Sequence, residues 1–213
     1  MNRRSQSERQ PQTLRERFKE TTLQAVLAAA EEVFADAGLH AAHMGEIAER
    51  AGVAVGTLYN HFADREALLA GLAEARFKEL LANLDGALKA SADRPFRERA
   101  RALVVAMLTY YERHQKFMRI ILQGETGRYE RTFPTIAGAM KHKMTEVGAR
   151  VEKLIDQGVR EKAVRSDYSD LAPFFLLGML RALVMRHVIH ERGDGMAVEA
   201  DRLLTAFLSG VGT

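Results

Sequence analysis

The chain has no cysteine and no tryptophan, and it has only four prolines among its 213 residues. Without cysteine it forms no disulfide, offers no thiolate nucleophile and lacks the ligands of a cysteine zinc site. It contains no uninterrupted apolar run long enough to cross a bilayer, and residues 1–19 are polar and basic, without the apolar segment of a signal peptide. We therefore expect a cytoplasmic protein with no membrane partner.

Sequence motifs that carry catalysis are missing as well. There is no Gly-rich phosphate loop, no Gly-x-Ser-x-Gly elbow and no pair of acids that suggests hydrolysis. His187 and His190 lie one helical turn apart, but two ligands do not make a metal site. We expect no catalytic residues, no metal and no cofactor.

The composition is that of a globular protein of one or two domains, with 47% hydrophobic and 28% charged residues. The net charge of +3 is too small to indicate a nucleic-acid partner by itself. The first twenty residues alone carry six basic and three acidic side chains, which equals the net charge of the whole chain. Residues 1–12 have no apolar face and are predicted to form a flexible basic arm.

Ala, Leu, Glu and Arg recur at steps of three and four residues, which predicts an all-α fold. The first helix is predicted over 13–37, with Leu14 and Phe18 on its apolar face and Gly38 ending it as a left-handed cap. Asp64 is placed to cap a helix, and Pro95 to lie in the first turn of another. The other helices are expected at 44–51, 54–62, 64–91, 95–114, 116–123, 135–159, 169–191 and 196–208. The polar stretch at 91–94 marks a candidate domain boundary.

Residues 45–62 have the spacing of a helix-turn-helix. Ala48 is small where the two helices would cross, and Gly52 supplies the positive φ of the turn. Val53 and Leu58 are expected to be buried in the angle between the helices. Six residues would then face outward on the second helix, the one that enters a major groove in such motifs: Val55, Gly56, Thr57, Tyr59, Asn60 and His61. Two short core helices joined by a glycine turn remain the alternative.

At these residues the sequence resembles the tetracycline-repressor (TetR) family of bacterial transcriptional regulators. Four blocks carry the resemblance: Phe-x-x-x-Gly at 34–38, Ile-Ala-x-x-Ala-Gly-Val at 47–53, Gly-Thr-Leu-Tyr-x-x-Phe at 56–62 and Arg-Glu-Ala-Leu at 65–68. They lie within residues 22–69, about a quarter of the chain. After the arm at 1–12, the resemblance implies a three-helix DNA-binding domain over 13–66 and a helical ligand-binding and dimerisation domain over 67–213.

The resemblance also implies roles for single residues. Thr57 and Tyr59 would donate their hydroxyl hydrogens to phosphate oxygens, which fixes register without reading sequence. Asn60 and His61 would face base edges or phosphates, and the Asn60 amide has the geometry to read adenine. Tyr59 as an ordinary core aromatic is the alternative. The DNA-binding residues implied are Gly45, Val55, Gly56, Thr57, Tyr59, Asn60, His61 and Arg65, the last standing where the family usually has a phosphate-binding lysine.

Three features depart from the family pattern. His43 and Gly45 occupy the region where the family often has a serine or threonine and a basic residue, and Ala54-Val55 replaces a frequent Ser-Lys pair. Residues 40–66 carry two basic and four acidic side chains, a net charge of −2. The arginines of the arm would compensate if they lie in a minor groove or along phosphates; a solubilising tail is the alternative.

Methionines and aromatics are mixed in the C-terminal half, a composition that suits a pocket for an apolar ligand and equally an ordinary core. The candidate ligand-binding residues are Met107, Tyr110, Tyr111, His114, Met118, Met140, Met144, Phe175 and Met179. The helix at 169–191 is apolar almost all round, and Gly178 and Ala182 permit close approach. We expect it to face its own core on one side and a second copy on the other, with 196–208 completing a four-helix interface. A central buried helix is the alternative.

These observations predict a homodimeric transcriptional repressor that binds a palindromic double-stranded DNA operator and leaves it when a small, largely apolar effector binds. Each protomer would place residues 54–62 in one of two successive major grooves, roughly 34–36 Å apart. The alternative is a DNA-associated regulator of the same fold that answers to a protein partner and has no small-molecule effector. An enzyme that uses a helical cavity is a third class, for which the sequence offers no catalytic set.

Overall fold

The computed structural model describes residues 13–124, 134–189 and 195–212, so the arm at 1–12 and His190 lie outside the described residues. The predicted all-α fold is confirmed, because all regular structure in these ranges is helical. The α-helices are α1 (Leu14–Ala37), α2 (Met44–Arg50), α3 (Val55–His61), α4 (Arg65–Ala90), α5 (Phe96–Arg113), α6 (Gln115–Gly124), α7 (Pro134–Arg160), α8 (Ala172–Ile189) and α9 (Ala200–Val211). Short 3-10 turns precede α8 and α9, at Ser166–Tyr168 and Ala197–Glu199.

Side-chain caps define where two of these helices begin. At α1, the Glu16 backbone N–H donates to Thr13 Oγ1 at 3.3 Å, and the Thr13 backbone N–H donates to the Glu16 carboxylate at 2.8 Å. The bond from the Thr13 N–H holds the pKa of the Glu16 carboxyl below its usual range. At α4, Asp64 Oδ1 accepts from the Ala67 N–H at 2.8 Å, which confirms the predicted cap.

Three predicted helix ends are corrected. Gly38 has a positive φ of 79°, but its ψ of 161° lies outside the left-handed helical region, so it is not the left-handed cap expected. Pro95 is the N-cap of α5 and precedes the first turn. The helix expected from residue 169 starts at Ala172, because a 3-10 turn occupies the residues just before it.

The chain forms two compact units that meet between Leu68 and Leu69. In the first unit α1 packs on α2 and α2 on α3. The core of this unit is fully buried at Val33, Phe34, Ile47, Ala48 and Leu58. The expectation that Leu14 and Phe18 belong to the packed face of α1 is wrong: they are 83% and 80% exposed, and the buried side chains of α1 begin at Val26.

In the second unit α5 contacts α6, α7, α8 and α9. Its buried face presents a core of Leu103, Val104, Met107 and Leu108. The polar stretch 91–94, expected as a domain boundary, lies inside this unit. There it forms a tight turn between α4 and α5 in which the buried Ser91 donates its hydroxyl to the Ala87 carbonyl at 2.8 Å.

Helix α8 has one buried face and, on another side, exposed apolar side chains. Ala172, Pro173, Leu176, Leu180, Val184 and His187 form a buried face. Leu171, just before the helix, together with Phe174, Phe175 and Ile189, is 42–69% exposed. A fully buried central helix is therefore wrong. By length and composition this helix could also cross a membrane, with a mean hydropathy of 1.5, a test that core helices pass too.

Candidate nucleic-acid interface

The turn between α2 and α3 is a Schellman motif. The Val53 N–H donates to the Ala48 carbonyl and the Gly52 N–H donates to the Glu49 carbonyl, both at 3.0 Å. Gly52 has a φ of 67°, so the predicted positive φ is confirmed. These bonds satisfy the last carbonyls of α2 and set the angle at which α3 leaves the turn.

Leu58 fixes the rotation of α3 about its own axis. It is the buried residue of that helix and is fully enclosed, as are Ile47 and Ala48 on α2, while Val53 is half-buried. Because α3 has only two turns, burying Leu58 determines which of its residues face outward.

The outward face of α3 presents Val55, Gly56, Tyr59 and Asn60, all exposed. Val55 is 44% and Tyr59 51% exposed, so Tyr59 is not a core aromatic. Thr57 and His61 are half-buried at the edges of this face, and the His61 ring lies beside the Phe62 ring with centroids 6.4 Å apart. One helix face thus carries a hydroxyl, an amide and an apolar side chain, the groups that contact phosphates, adenine edges and thymine methyls.

The start of α2 lacks a side-chain cap. His43 is the N-cap residue, and its side chain makes no capping bond. Gly45 is exposed, and a Cβ built on it meets nothing within 4 Å. With His43 and Gly45 at this helix start, α2 therefore lacks a capping hydrogen bond from a side chain. A Cβ would fit at Gly45, so no steric reason requires glycine there.

Arg65 has a structural partner that the sequence did not reveal. Its Nη1 donates to the carbonyl oxygen of His40 at 2.6 Å and to that of Ala42 at 3.3 Å. The guanidinium thus ties the start of α4 to the segment between α1 and α2. No local pattern predicts this contact, since more than twenty residues separate the partners.

The first unit is acidic where it is described. Residues 13–68 carry five basic and nine acidic side chains, a net charge of −4 with histidines neutral. Arg50 lies 3.7 Å from Glu32, 3.5 Å from Asp36 and 3.3 Å from Glu46, so carboxylates neutralise its charge. Among residues 13–68, the other basic side chains are Arg65 and, on the exposed first turns of α1, Arg15, Arg17 and Lys19.

The candidate ligand residues of α5 form a buried polar and aromatic cluster in the second unit. Tyr110 donates its hydroxyl to the Arg76 carbonyl at 2.6 Å, and its ring lies 4.5 Å from the His114 ring. His114 Nε2 lies 3.0 Å from a Glu79 carboxylate oxygen. Burial raises the pKa of Tyr111 to about 12. With the buried Met107, this face of α5 combines apolar surface with a few oriented polar groups.

The other candidate ligand residues are spread over the unit. Met118 and Met140 are half-buried and Met144 is 43% exposed. Phe175 and Met179 line a surface groove of about 450 Å³ together with Tyr168, Phe174, Phe207 and residues between them on α8 and α9. Of the predicted set, therefore, two members lie on the outer apolar surface.

Metal binding gains no support in the described ranges. No cluster of three or more His, Cys, Asp or Glu side chains is found there. His187 is buried, with its Nδ1 3.1 Å from the Leu183 carbonyl oxygen.

The fold and the two-helix unit define the class: an all-α protein with an N-terminal helix-turn-helix. Residues 26–72 match the family model of bacterial regulatory proteins, tetR family. The HTH-type transcriptional activator FasR of Mycolicibacterium smegmatis is 37% identical over 100 residues, which are 47% of this chain and 45% of that protein. The match thus spans about half the length of this curated relative. The N-terminal unit is therefore a helix-turn-helix domain of the type found in the tetR family of bacterial regulatory proteins.

Two solved structures share the fold over most of the chain. The fatty acid degradation regulator FadR from Bacillus halodurans superposes with a TM-score of 0.78 at 18% identity, over 89% of this chain and 95% of that one. FadR from Bacillus subtilis in complex with stearoyl-CoA superposes with a TM-score of 0.76 at 18% identity, over 88% and 98%. At this identity the likeness concerns the fold.

Proposed function

We propose that this protein is a homodimeric, effector-responsive transcriptional repressor that reads a palindromic operator through α3. The observation that carries the proposal is the face of Val55, Tyr59 and Asn60, held outward by the buried Leu58 and the Schellman turn. Phosphate contacts from Thr57 and Tyr59 would position the helix, and Asn60 and His61 would contact bases or the adjacent backbone. Gly45 and Gly56 leave room for close approach of the duplex, since a Cβ on either meets nothing.

Arg65 takes a second role in this proposal. Its Nη1 is bonded to two backbone carbonyls, so it holds the start of α4 in place. Its remaining nitrogen atoms would then contact phosphate from a fixed position. The first unit carries a net negative charge. Local cations such as Arg65 would therefore matter for DNA affinity, since the phosphate backbone supplies much of the affinity of DNA-binding proteins.

The exposed apolar side chains of α8 support the proposal of a homodimer. Phe174 is 69% exposed and Phe175 42%, and both line the apolar groove that α8 shares with α9. Apolar side chains on neighbouring helices of the same unit form a surface that a second copy covers with its own α8 and α9, as in a four-helix bundle. Such a dimer presents two α3 helices, which a palindromic operator requires.

The buried cluster on α5 supports the proposal of a small-molecule effector. Met107, Tyr111 and His114 combine a pliable apolar surface with polar groups that would orient a ligand. The related fold of FadR, described in complex with stearoyl-CoA, favours a ligand with a long apolar part. To weaken operator binding a hundredfold, the effector needs a coupling free energy of about 2.8 kcal/mol between the two sites.

The experiment is a selection from random duplex DNA by the purified full chain, without added effector. We expect enrichment of a palindrome with half-sites about one helical turn apart. Recovery of no sequence by a folded dimer would contradict the proposal and favour a regulator that acts through a protein partner. A cytoplasmic reporter behind the selected operator then tests repression: FasR is named an activator, so a rise in transcription would replace repression with activation.

A further inference from the structure

A basic groove lies between α4, α5 and α7 of the second unit. Its volume is about 440 Å³, which is in the range of small-ligand sites. The charged side chains that line it are Lys89, Arg99, Arg150, Lys153 and Arg160, against the single carboxylate of Asp85. None of the candidate DNA or ligand residues discussed above is among its lining residues.

Helical periodicity places these charges on facing helices. On α7 the groove residues Arg150, Lys153, Gln157 and Arg160 follow one another at steps of three or four and so share one face. Lys89 projects from α4 into the same groove. The two rows bring together cations that are more than sixty residues apart in sequence.

The ion pair of Arg150 and Asp85 occupies part of the groove. Arg150 donates to the Asp85 carboxylate through two bonds, from Nε at 2.7 Å and from Nη2 at 2.8 Å. These bonds hold the pKa of the Asp85 carboxyl below its usual range. The pair ties α4 to α7, and it uses the one carboxylate that lines the groove.

Arg99 is oriented by a chain of side-chain contacts. Its Nη1 donates to Gln157 Oε1, and Gln157 Nε2 donates to a carboxylate oxygen of Glu161. The other oxygen of Glu161 accepts from the Phe96 N–H at 2.7 Å, so this acid is engaged at the start of α5. Arg99 Nε is buried and has no hydrogen-bond partner in the described part of the chain.

Two of the remaining cations have no acid as a partner among the described side chains: Lys89 and Lys153 are exposed and form no ion pair or hydrogen bond with any of them. Arg160 is also exposed, but one acid lies near it, because the pKa of the Glu161 carboxyl is lowered by the Phe96 N–H, by Gln157 and by the charges of Arg99 and Arg160. With the unpartnered Arg99 Nε, four cationic groups surround a small concave space after Arg150 and Asp85 have neutralised each other. Cations gathered in a cleft focus a positive potential that attracts anions.

We propose that this groove binds a small ligand through a phosphate or pyrophosphate group. Lysine ammonium groups and a guanidinium held in place by Gln157 and Glu161 are the donors that phosphoryl oxygens take. Applied to the effector, this proposal rests on the proposed function. It then implies that the effector carries a phosphate group in addition to its apolar part. Because α4 carries Asp85 and Lys89 and also begins in the first unit, a ligand between α4 and α7 acts on a helix that both units share.

The test measures binding of ADP and of inorganic pyrophosphate to the full chain by isothermal titration calorimetry, without DNA, with adenosine as the uncharged probe. The variant is Lys89→Gln/Lys153→Gln. Its matched control is Lys78→Gln/Lys141→Gln, which removes two exposed lysines from the same two helices outside the groove. We expect one ADP per chain and no adenosine bound, at least a tenfold loss of ADP affinity in the groove variant, and less than a twofold change in the control.

The outcomes separate the possible sources of the phosphate. Binding of both probes assigns the groove to the pyrophosphate group itself, and binding of ADP alone assigns it to a nucleoside diphosphate. No saturable binding of either probe, or equal loss in the two variants, overturns the proposal. If neither probe binds while the groove variant alone loses affinity for random duplex DNA, the groove belongs to a DNA backbone and the proposal is wrong. None of these outcomes depends on an operator, so the inference fails or stands separately from the selection experiment.

Discussion

The carbonyl oxygen of Ala48 accepts a hydrogen bond of 3.0 Å from the backbone N–H of Val53, across a turn in which Gly52 has a φ of 67°. This bond sets the geometry of the helix-turn-helix. It ends α2, turns the chain within four residues and delivers Val55 as the first residue of α3. A six-residue motif of the backbone thus positions the face that we propose to read DNA.

Replacing Gly52 by alanine tests this turn. A Cβ at φ 67° is strained whatever the space around it, at a cost of about 1–2 kcal/mol in the free energy of unfolding. Urea denaturation of Gly52→Ala measures the loss. Gly45→Ala is the control, because its φ is not positive and its Cβ meets nothing. Equal stability of the two variants would show that the turn does not need glycine.

Replacing Arg65 by alanine separates its structural role from its DNA role. Loss of the bonds to the His40 and Ala42 carbonyls destabilises the protein by about 1.5–3 kcal/mol, the range for hydrogen bonds that involve a charged group. Thermal unfolding without DNA measures it, with Arg15→Ala at an exposed site as the control. If Arg65 served only to contact phosphate, both variants would unfold at the same temperature.

A charge on the exposed face of α8 tests the dimer. Phe174→Glu puts a carboxylate into the apolar groove, where a second copy would have to desolvate it, so the equilibrium shifts toward monomer by at least tenfold. Sedimentation equilibrium measures the shift. Leu14→Glu, at an apolar side chain 83% exposed in the first unit, should leave the association unchanged. A Phe174→Glu protein that stays dimeric would place the interface elsewhere.

Tyr111 makes the folded protein less stable at alkaline pH. Its pKa is about 12 in the folded chain against an ordinary 10.0, because burial disfavours the charged phenolate. The stability that depends on the neutral phenol is complete below pH 10 and is lost as pH rises toward 12, by up to about 3 kcal/mol. Tyr111→Phe should therefore lose less stability than the wild type between pH 10 and 12 in urea titrations. Parallel losses in the two proteins would show that Tyr111 is not buried.

Helical periodicity and local capping chemistry predicted the fold well. Asp64, Gly52 and Leu58 act in the structure as their sequence positions indicate, because caps, turns and buried anchors of short helices depend on neighbours a few residues away. The same periodicity misled at Leu14 and Phe18. They continue the apolar spacing of α1, but spacing does not tell which turns of a long helix another element covers.

Contacts between distant segments were beyond sequence reasoning. Arg65 matches a phosphate-binding position of the family, and nothing near it in sequence indicates its bonds to His40 and Ala42. The basic groove was missed for a related reason. Cations such as Arg150 and Lys153 at three- and four-residue steps look like an ordinary solvated helix face until the structure places Lys89 and Arg99 against them.

The most direct test of the central claim is the ratio of affinities for the selected operator and for a scrambled duplex of equal length, measured by fluorescence anisotropy at one salt concentration. The proteins are the wild type, Tyr59→Ala/Asn60→Ala and Asn83→Ala, an amide control on α4. A bidentate contact from Asn60 contributes about 1–3 kcal/mol of discrimination, so the ratio should fall roughly 5- to 150-fold per half-site in the double variant and stay unchanged in the control. An unchanged ratio in a folded, dimeric double variant would contradict the claim that α3 reads the operator.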